Sequence, residues 1–149
     1  LHLFYEGQME GCAVRMPIQL SRRSEEQEDP DMMRFYKTLL AFSAEEPLAT
    51  GTFRPLDARP AWEGNRSSES LLAWLWHSGE KLKLVCVNYS GHTAQGRLRI
   101  SPELVSGQPF AFRDALTGEI YIRSLDEVIT MGLFVELGPW GAHLLDLLT

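Results

Sequence analysis

Cysteine is nearly missing: Cys12 and Cys86 are the two thiols in 149 residues. That excludes a disulfide-stapled scaffold, and their wide separation excludes a Cys-based zinc site. Two free thiols favour a reducing compartment, with Cys86 buried in a strand, and the expected location is cytoplasmic. Basic residues are also few. Lysine and arginine number 14 against 20 acidic residues, a net charge of -6, and no basic run exceeds Arg22–Arg23. The electrostatic footprint of a phosphate-backbone binder is missing, so nucleic acid is not an expected partner. No apolar run approaches the roughly 20 residues of a membrane-spanning helix, and no charged n-region precedes an apolar h-region. A membrane is not an expected partner either. The chain nevertheless carries 44% hydrophobic and 23% charged residues, the balance of a folded domain and not of a disordered tail.

The composition shifts once along the chain, near residue 45. Before it, "RRSEEQEDPDMMRFYKTLLAF" reads as a solvated acidic loop feeding a helix. Asp29 is placed to cap the free amides, Pro30 suits the first helical position and Asp31 the positive end of the dipole. Met32, Phe35, Tyr36, Leu39 and Leu40 recur at three and four, which predicts one apolar face packed on a core. The helix is expected over 31–42, ending before Pro47.

After Pro47 the period is two. The runs 71–78, 81–90, 93–100, 109–115, 119–124, 132–137 and 142–148 are short and rich in β-branched and aromatic residues. "SGE", "SGH", "LTG" and "GPWG" between them are turn vocabulary. This pattern predicts a mainly β protein, an antiparallel β-sandwich of about seven to eight strands. Residues 49–56 add an edge strand, since Pro55 blocks central pairing. Residues 57–70 read as a long polar loop. Trp140, after Pro139, is expected to staple the end of the sandwich.

Chemistry is sparse. His2, His77, His92 and His143 show no metal-ligand spacing, and His143 reads as an outward-facing or core-satisfied histidine. No Gly-x-Ser-x-Gly elbow occurs. "NRS" (65–67) and "NYS" (88–90) match glycosylation acceptors but read as turns. Glycosidases use two carboxylates held in opposed environments. The cluster Glu25, Glu26, Glu28, Asp29 and Asp31 lacks apolar cover for that, and Glu6 and Glu10 are linked by spacing alone. Neither a cofactor nor a metal is implied. Trp74 and Trp76 alternate on one strand face, as a core, a domain seam or a sugar platform would require. Trp62, in the polar loop, is the candidate for an exposed carbohydrate-stacking ring.

"FYEGQMEGCAVRMP" (4–17) resembles the segment after the eighth barrel strand in the α-amylase family of glycoside hydrolases, with its aromatic pair, Gly-Gln/Glu step and later Arg-x-Pro. "DPDMMRFYKTLLAF" is similar to the last barrel helix. "LLAWLWHSGEKLKLVCVNYSGHTAQGRLRI", "RDALTGEIY" and "LGPWGAHLLDL" are similar to the C-terminal β-domain. The resemblance implies that residues 1–46 are the last strand, loop and helix of a (β/α) barrel, a TIM-type barrel, and that 47–149 are a C-terminal antiparallel β-sandwich.

In the family, the catalytic carboxylates follow barrel strands four, five and seven. The resemblance therefore implies no catalytic residue in this chain and a non-catalytic accessory role, stabilising the barrel of an α-glucan-acting parent. That parent would be a glycoside hydrolase or transglycosidase acting on starch or glycogen. The alternatives are an autonomous α-glucan-binding module and a protein-interaction sandwich. The substrate-rim candidates are Tyr5, Gln8, Glu10 and Arg15; the competing reading is that they knit the barrel end to its helix. Here Met9 separates Gln8 from Glu10, whereas many relatives place the glutamate directly after Gly-Gln. The expected partners are the catalytic barrel and an α-glucan. Without the barrel, the helix is expected either to lie against the chain's own sandwich or to be hidden by self-association.

Overall fold

A computed structural model describes residues 3–14, 19, 25–105 and 110–148. Arg15 and Pro17, two residues of the opening resemblance, lie outside the described residues. The chain divides into two compact units, residues 1–41 and 42–149.

In the first unit, turns run from Glu6 to Gly11 and lead to a long helix. Gly7 and Gly11 adopt φ of 83° and 74°, the left-handed region where a side chain is strained. At Gly11 a Cβ would also stand 2.7 Å from the Asp29 Cβ. The Asp29 amide donates to the Glu10 carbonyl at 2.8 Å, which ties the turns to the helix start. Helix α1 spans Pro30–Ala44. The predicted cap is present: Asp29 Oδ1 accepts from the amides of Asp31 at 2.9 Å and Met32 at 3.0 Å.

The apolar stripe on α1 departs from expectation. Met32 is 39% and Phe35 41% exposed, and the buried residue of the helix is Phe42. The segment ahead of the helix brings the Phe4 ring edge-on to Tyr36 at 5.9 Å, too little apolar surface to cover the stripe.

The second unit is mainly β, with nine strands among the described residues arranged in two antiparallel sheets. They are β1 (Thr52–Leu56), β2 (Ala58–Pro60), β3 (Leu71–Ser78), β4 (Lys81–Asn88), β5 (Ala94–Leu98), β6 (Phe110–Asp114), β7 (Ile120–Arg123), β8 (Leu133–Leu137) and β9 (Ala142–Leu148). A second helix, α2 (Leu125–Met131), joins β7 to β8. The larger sheet has the order β1-β3-β4-β9-β6-β7 and the smaller β2-β5-β8.

Alternation puts Leu71, Ala73 and Leu75 of β3 in register with Asn88, Cys86 and Leu84 of β4, all on the inner face. These meet Ala94, Leu98, Leu133, Val135 and Leu137 from the smaller sheet in one core with Phe110 and Phe112. β1, with Pro55, forms one edge of the larger sheet, where a missing N–H costs no ladder bond.

Two elements within or beside the predicted loops were not foreseen. Residues 57–70 are not all loop: β2 pairs with β5, and Ser67–Ser70 form a 3-10 turn with Ser68 buried. Gly96 permits the approach, since a Cβ there would stand 2.8 Å from Leu71 Cδ1 and 3.1 Å from the Arg59 carbonyl. Helix α2 begins at a Ser-x-x-Glu signature, Ser124 Oγ accepting from the Glu127 amide at 3.3 Å, and buries Val128. Of the two glycosylation matches, 65–67 leads into the 3-10 turn, whereas Asn88 is not in a turn as expected but is the last residue of β4. Asn65 Oδ1 accepts from the Ser67 amide at 2.8 Å, and Asn88 is fully buried.

Candidate functional site

The first unit contains an open cavity of about 530 Å³ whose wall includes Tyr5, Glu6, Gln8, Cys12, Met32 and Tyr36. Its geometry comes from the glycine turns. Gln8 folds back so that its Oε1 accepts from the Tyr5 amide at 3.1 Å, and its Nε2 donates to the Tyr36 hydroxyl at 2.7 Å. The rim candidates Tyr5 and Gln8 are thus brought together, with Tyr36 of α1 as a third member that sequence reasoning missed.

Glu10 is half-buried and takes part through its backbone carbonyl. Glu26 belongs by sequence to a cluster without apolar cover, but its Oε1 accepts from the amides of Ala13 at 3.0 Å and Val14 at 3.1 Å. Among the described residues, Glu6 is the carboxylate in the cavity wall. Two-carboxylate glycoside cleavage needs a partner some 5–10 Å away.

In the second unit, Trp62 stands on the 61–65 turn and is 55% exposed. Trp74 and Trp76 sit half-buried on the outer face of the larger sheet, their centroids 6.5 Å apart, with Phe53 of β1 5.2 Å from Trp76. The same face carries exposed Leu72, Ile120 and Ile122. On the same face, Lys83 of the interior strand β4 is buried beneath the Phe42 ring, 4.0 Å from its centroid. The ammonium pairs with Asp146 and, at 3.1 Å, with Glu45.

On the inner face, fully buried Asp114 meets His143 Nδ1 at 2.7 Å and accepts from the amides of Leu116 at 3.0 Å and Leu144 at 3.3 Å. Burial alone would push the Asp114 carboxyl up. The bonds from His143 and the two amides outweigh it and hold the group below its ordinary value. His143 is therefore core-satisfied. Its ring and that of Tyr121 lie 5.5 Å apart beside a cavity of about 200 Å³ between β7 and β8. Tyr121 is pushed up by burial and by its 2.8 Å bond to Glu119. Among the described residues, no group of three or more His, Cys, Asp or Glu is placed to hold a metal ion, and no helix is long and apolar enough to cross a membrane.

The fold of this chain recurs in solved α-amylases. With the α-amylase of Geobacillus thermoleovorans, solved with acarbose, superposition covers 84% of this chain at a TM-score of 0.60 and 13% identity. This is the fold of one quarter of an α-amylase. The match spans 24% of the Geobacillus chain, and 28% of a noncanonic maltogenic α-amylase from Thermotoga neapolitana, where 90% of this chain is covered at a TM-score of 0.58 and 12% identity. An Anoxybacillus α-amylase matches at a TM-score of 0.57 and 14% identity over 83% of this chain and 24% of its own. No protein-family model and no curated protein matches the sequence. The α-amylase likeness is one of fold.

Proposed function

We propose that this chain is a non-catalytic accessory part of an α-amylase-type glycoside hydrolase acting on α-glucans. In this reading residues 1–46 complete a catalytic (β/α) barrel and residues 47–149 form the C-terminal sandwich that stabilises it. The observation that carries the reading is the partial match: most of this chain superposes on about a quarter of each α-amylase. The surface supports it. An α-helix with an uncovered Met32–Phe35 stripe, and a sheet face bearing Phe53, Leu72, Trp74 and Trp76, are surfaces that a partner covers. A (β/α) barrel, with helices on its outside, presents complementary apolar ridges. Tyr5 and Gln8 then stand at the barrel rim, where the active sites of such enzymes are built, together with Glu10 and Arg15.

The test is co-expression with the (β/α) barrel of an α-amylase that lacks its own last strand, last helix and C-terminal domain. The expected result is a stable complex with a higher unfolding temperature than either part, and glucan cleavage that this chain alone does not perform. Alone, the chain is expected to self-associate in sedimentation. Hydrolysis of maltooligosaccharides by the isolated chain, or no association with the barrel, refutes the reading.

A further inference from the structure

Two turns of the sandwich, residues 88–93 and 137–141, are fastened to each other by an unusually complete set of bonds. The Asn88 amide donates to the Gly141 carbonyl at 2.9 Å, and the Trp140 amide to the Ser90 carbonyl at 3.0 Å. Buried Asn88 donates through Nδ2 to the carbonyls of His92 at 2.6 Å, Gly138 at 2.8 Å and Leu137 at 3.2 Å. Its Oδ1 accepts from Ser90 Oγ at 2.8 Å. Both turns are therefore held in place before any ligand arrives.

On this base stand two aromatic rings turned to solvent. Tyr89 is 71% and Trp140 65% exposed, with centroids 5.6 Å apart and planes at 86°. Trp140 does not staple a core, as its sequence position suggested. It has φ of 55°, and among the described residues it is the non-glycine residue with positive φ. A bulky residue is strained there, whereas glycine would adopt that angle freely. Burial does not offset the strain, because most of the ring is in water. A strained, exposed and preorganised aromatic side chain contributes little to folding and points to a use outside the chain.

We infer that the Tyr89–Trp140 pair is a binding platform for a neutral oligosaccharide. One pyranose ring stacks its C–H face on the indole, and the phenol hydroxyl and the exposed His92 imidazole hydrogen-bond sugar hydroxyls. Position 91 is glycine, where a side chain would begin 4.0 Å from the indole Nε1, so that edge stays open to a sugar oxygen. The surroundings choose this ligand class. Single-stranded nucleic acid stacks on aromatics inside a basic groove, and neither turn contains a lysine or arginine. A protein interface needs an apolar centre within about 800 Å² per partner, and the rings here are bordered by Ser90, Gly91, His92, Gly138 and Gly141, with Pro139 the one exposed apolar neighbour in the two turns. Two rings with small polar neighbours match one or two sugar units. The inference rests on the turn geometry and stands apart from the barrel reading.

The experiment is titration of the full chain with maltoheptaose and, separately, cellohexaose, read by calorimetry and tryptophan fluorescence. Saturable binding is expected with at least one of them, weakened at least about tenfold by Trp140→Ala and by Tyr89→Ala and unchanged by Trp62→Ala. Trp140→Gly is expected to lose binding while unfolding at the same or a higher urea midpoint, since it releases the left-handed strain. No saturable binding of either sugar overturns the proposal, as does binding that survives Trp140→Ala. A less stable Trp140→Gly protein would make the ring a structural staple. Loss of self-association in Trp140→Ala without sugar binding would assign the pair to a protein contact. Neither result bears on association with the barrel, so the two readings fail separately.

Discussion

Replacing Asp114 tests how the larger sheet is locked. The carboxylate is fully buried and accepts from the Leu116 amide, the Leu144 amide and His143. Because a carboxylate only accepts, Nδ1 of His143 carries the bonding proton. Asp114→Ala leaves three donors without their acceptor in a place water does not reach. Two orphaned amides cost about 1 kcal/mol or more each, and the charge-assisted imidazole bond about 1.5–3 kcal/mol, a total near 3–5 kcal/mol. That is a large share of the roughly 5–15 kcal/mol by which domains are stable. Asp114→Asn keeps an acceptor for the amides but turns an N–H toward His143, which must shift its proton to Nε2; about 1–2 kcal/mol is expected.

Urea unfolding followed by circular dichroism gives both numbers. The pH dependence supplies a second check. A native carboxyl held below its unfolded value of about 3.9 contributes stability that is complete above that pH and is lost as pH falls through the lower native value. The gap between wild type and Asp114→Asn should therefore be flat from neutrality down to about pH 5 and close below about pH 4. A loss under about 1 kcal/mol for Asp114→Ala, or a gap that widens on acidification, refutes the argument.

Two further outcomes follow from buried groups elsewhere. Lys83→Ala leaves the half-buried Asp146 with its longer 3.7 Å pairing to Arg113 and should cost about 2–4 kcal/mol, whereas Lys83→Met keeps the packing beneath Phe42 and should recover at least about 1 kcal/mol in the same urea assay. Equal losses would mean that the ion pair is silent. Burial pushes the Cys86 thiol up to about 12, and Cys12 is only half-buried. A thiol-reactive disulfide reagent at pH 8 should therefore label one cysteine quickly in the folded chain and the second only in denaturant; rapid labelling of Cys86 in the folded state would contradict the buried strand.

The strands were legible because each half-buried strand alternates. Residues 71–78 and 142–148 were read at their observed limits, and Pro55 correctly placed β1 at an edge. The start of α1 was legible because Asp29, Pro30 and Asp31 each act within one turn. Signals of three residues were not: β2 is specified by Gly96 on a different strand, and Val128, Ile129 and Thr130 in α2 mimic a strand although Ser124 and Glu127 mark a helix start. The stripe on α1 shows a deeper limit. A 3.6-residue period identifies an apolar face but says nothing about what covers it.

The site residues divide along the same line. Tyr5 and Gln8 were recoverable because a turn of three residues joins them, while Tyr36 enters from 28 residues away through the fold. Asp114 and His143 lie 29 residues apart, and no spacing rule connects them. Once the order β9-β6 is known, the register follows: Asp114 faces Leu145, and His143, two residues earlier on β9, shares that inner face. Side-chain parity was thus already written in each strand. The missing quantity was strand order, a choice among long-range pairings that local periodicity leaves open. Trp140 carries this one step further. Its strand parity and its proline neighbour are compatible with burial or exposure, and the left-handed angle that makes its exposure costly arises from the bonds of Asn88, 52 residues earlier in the sequence.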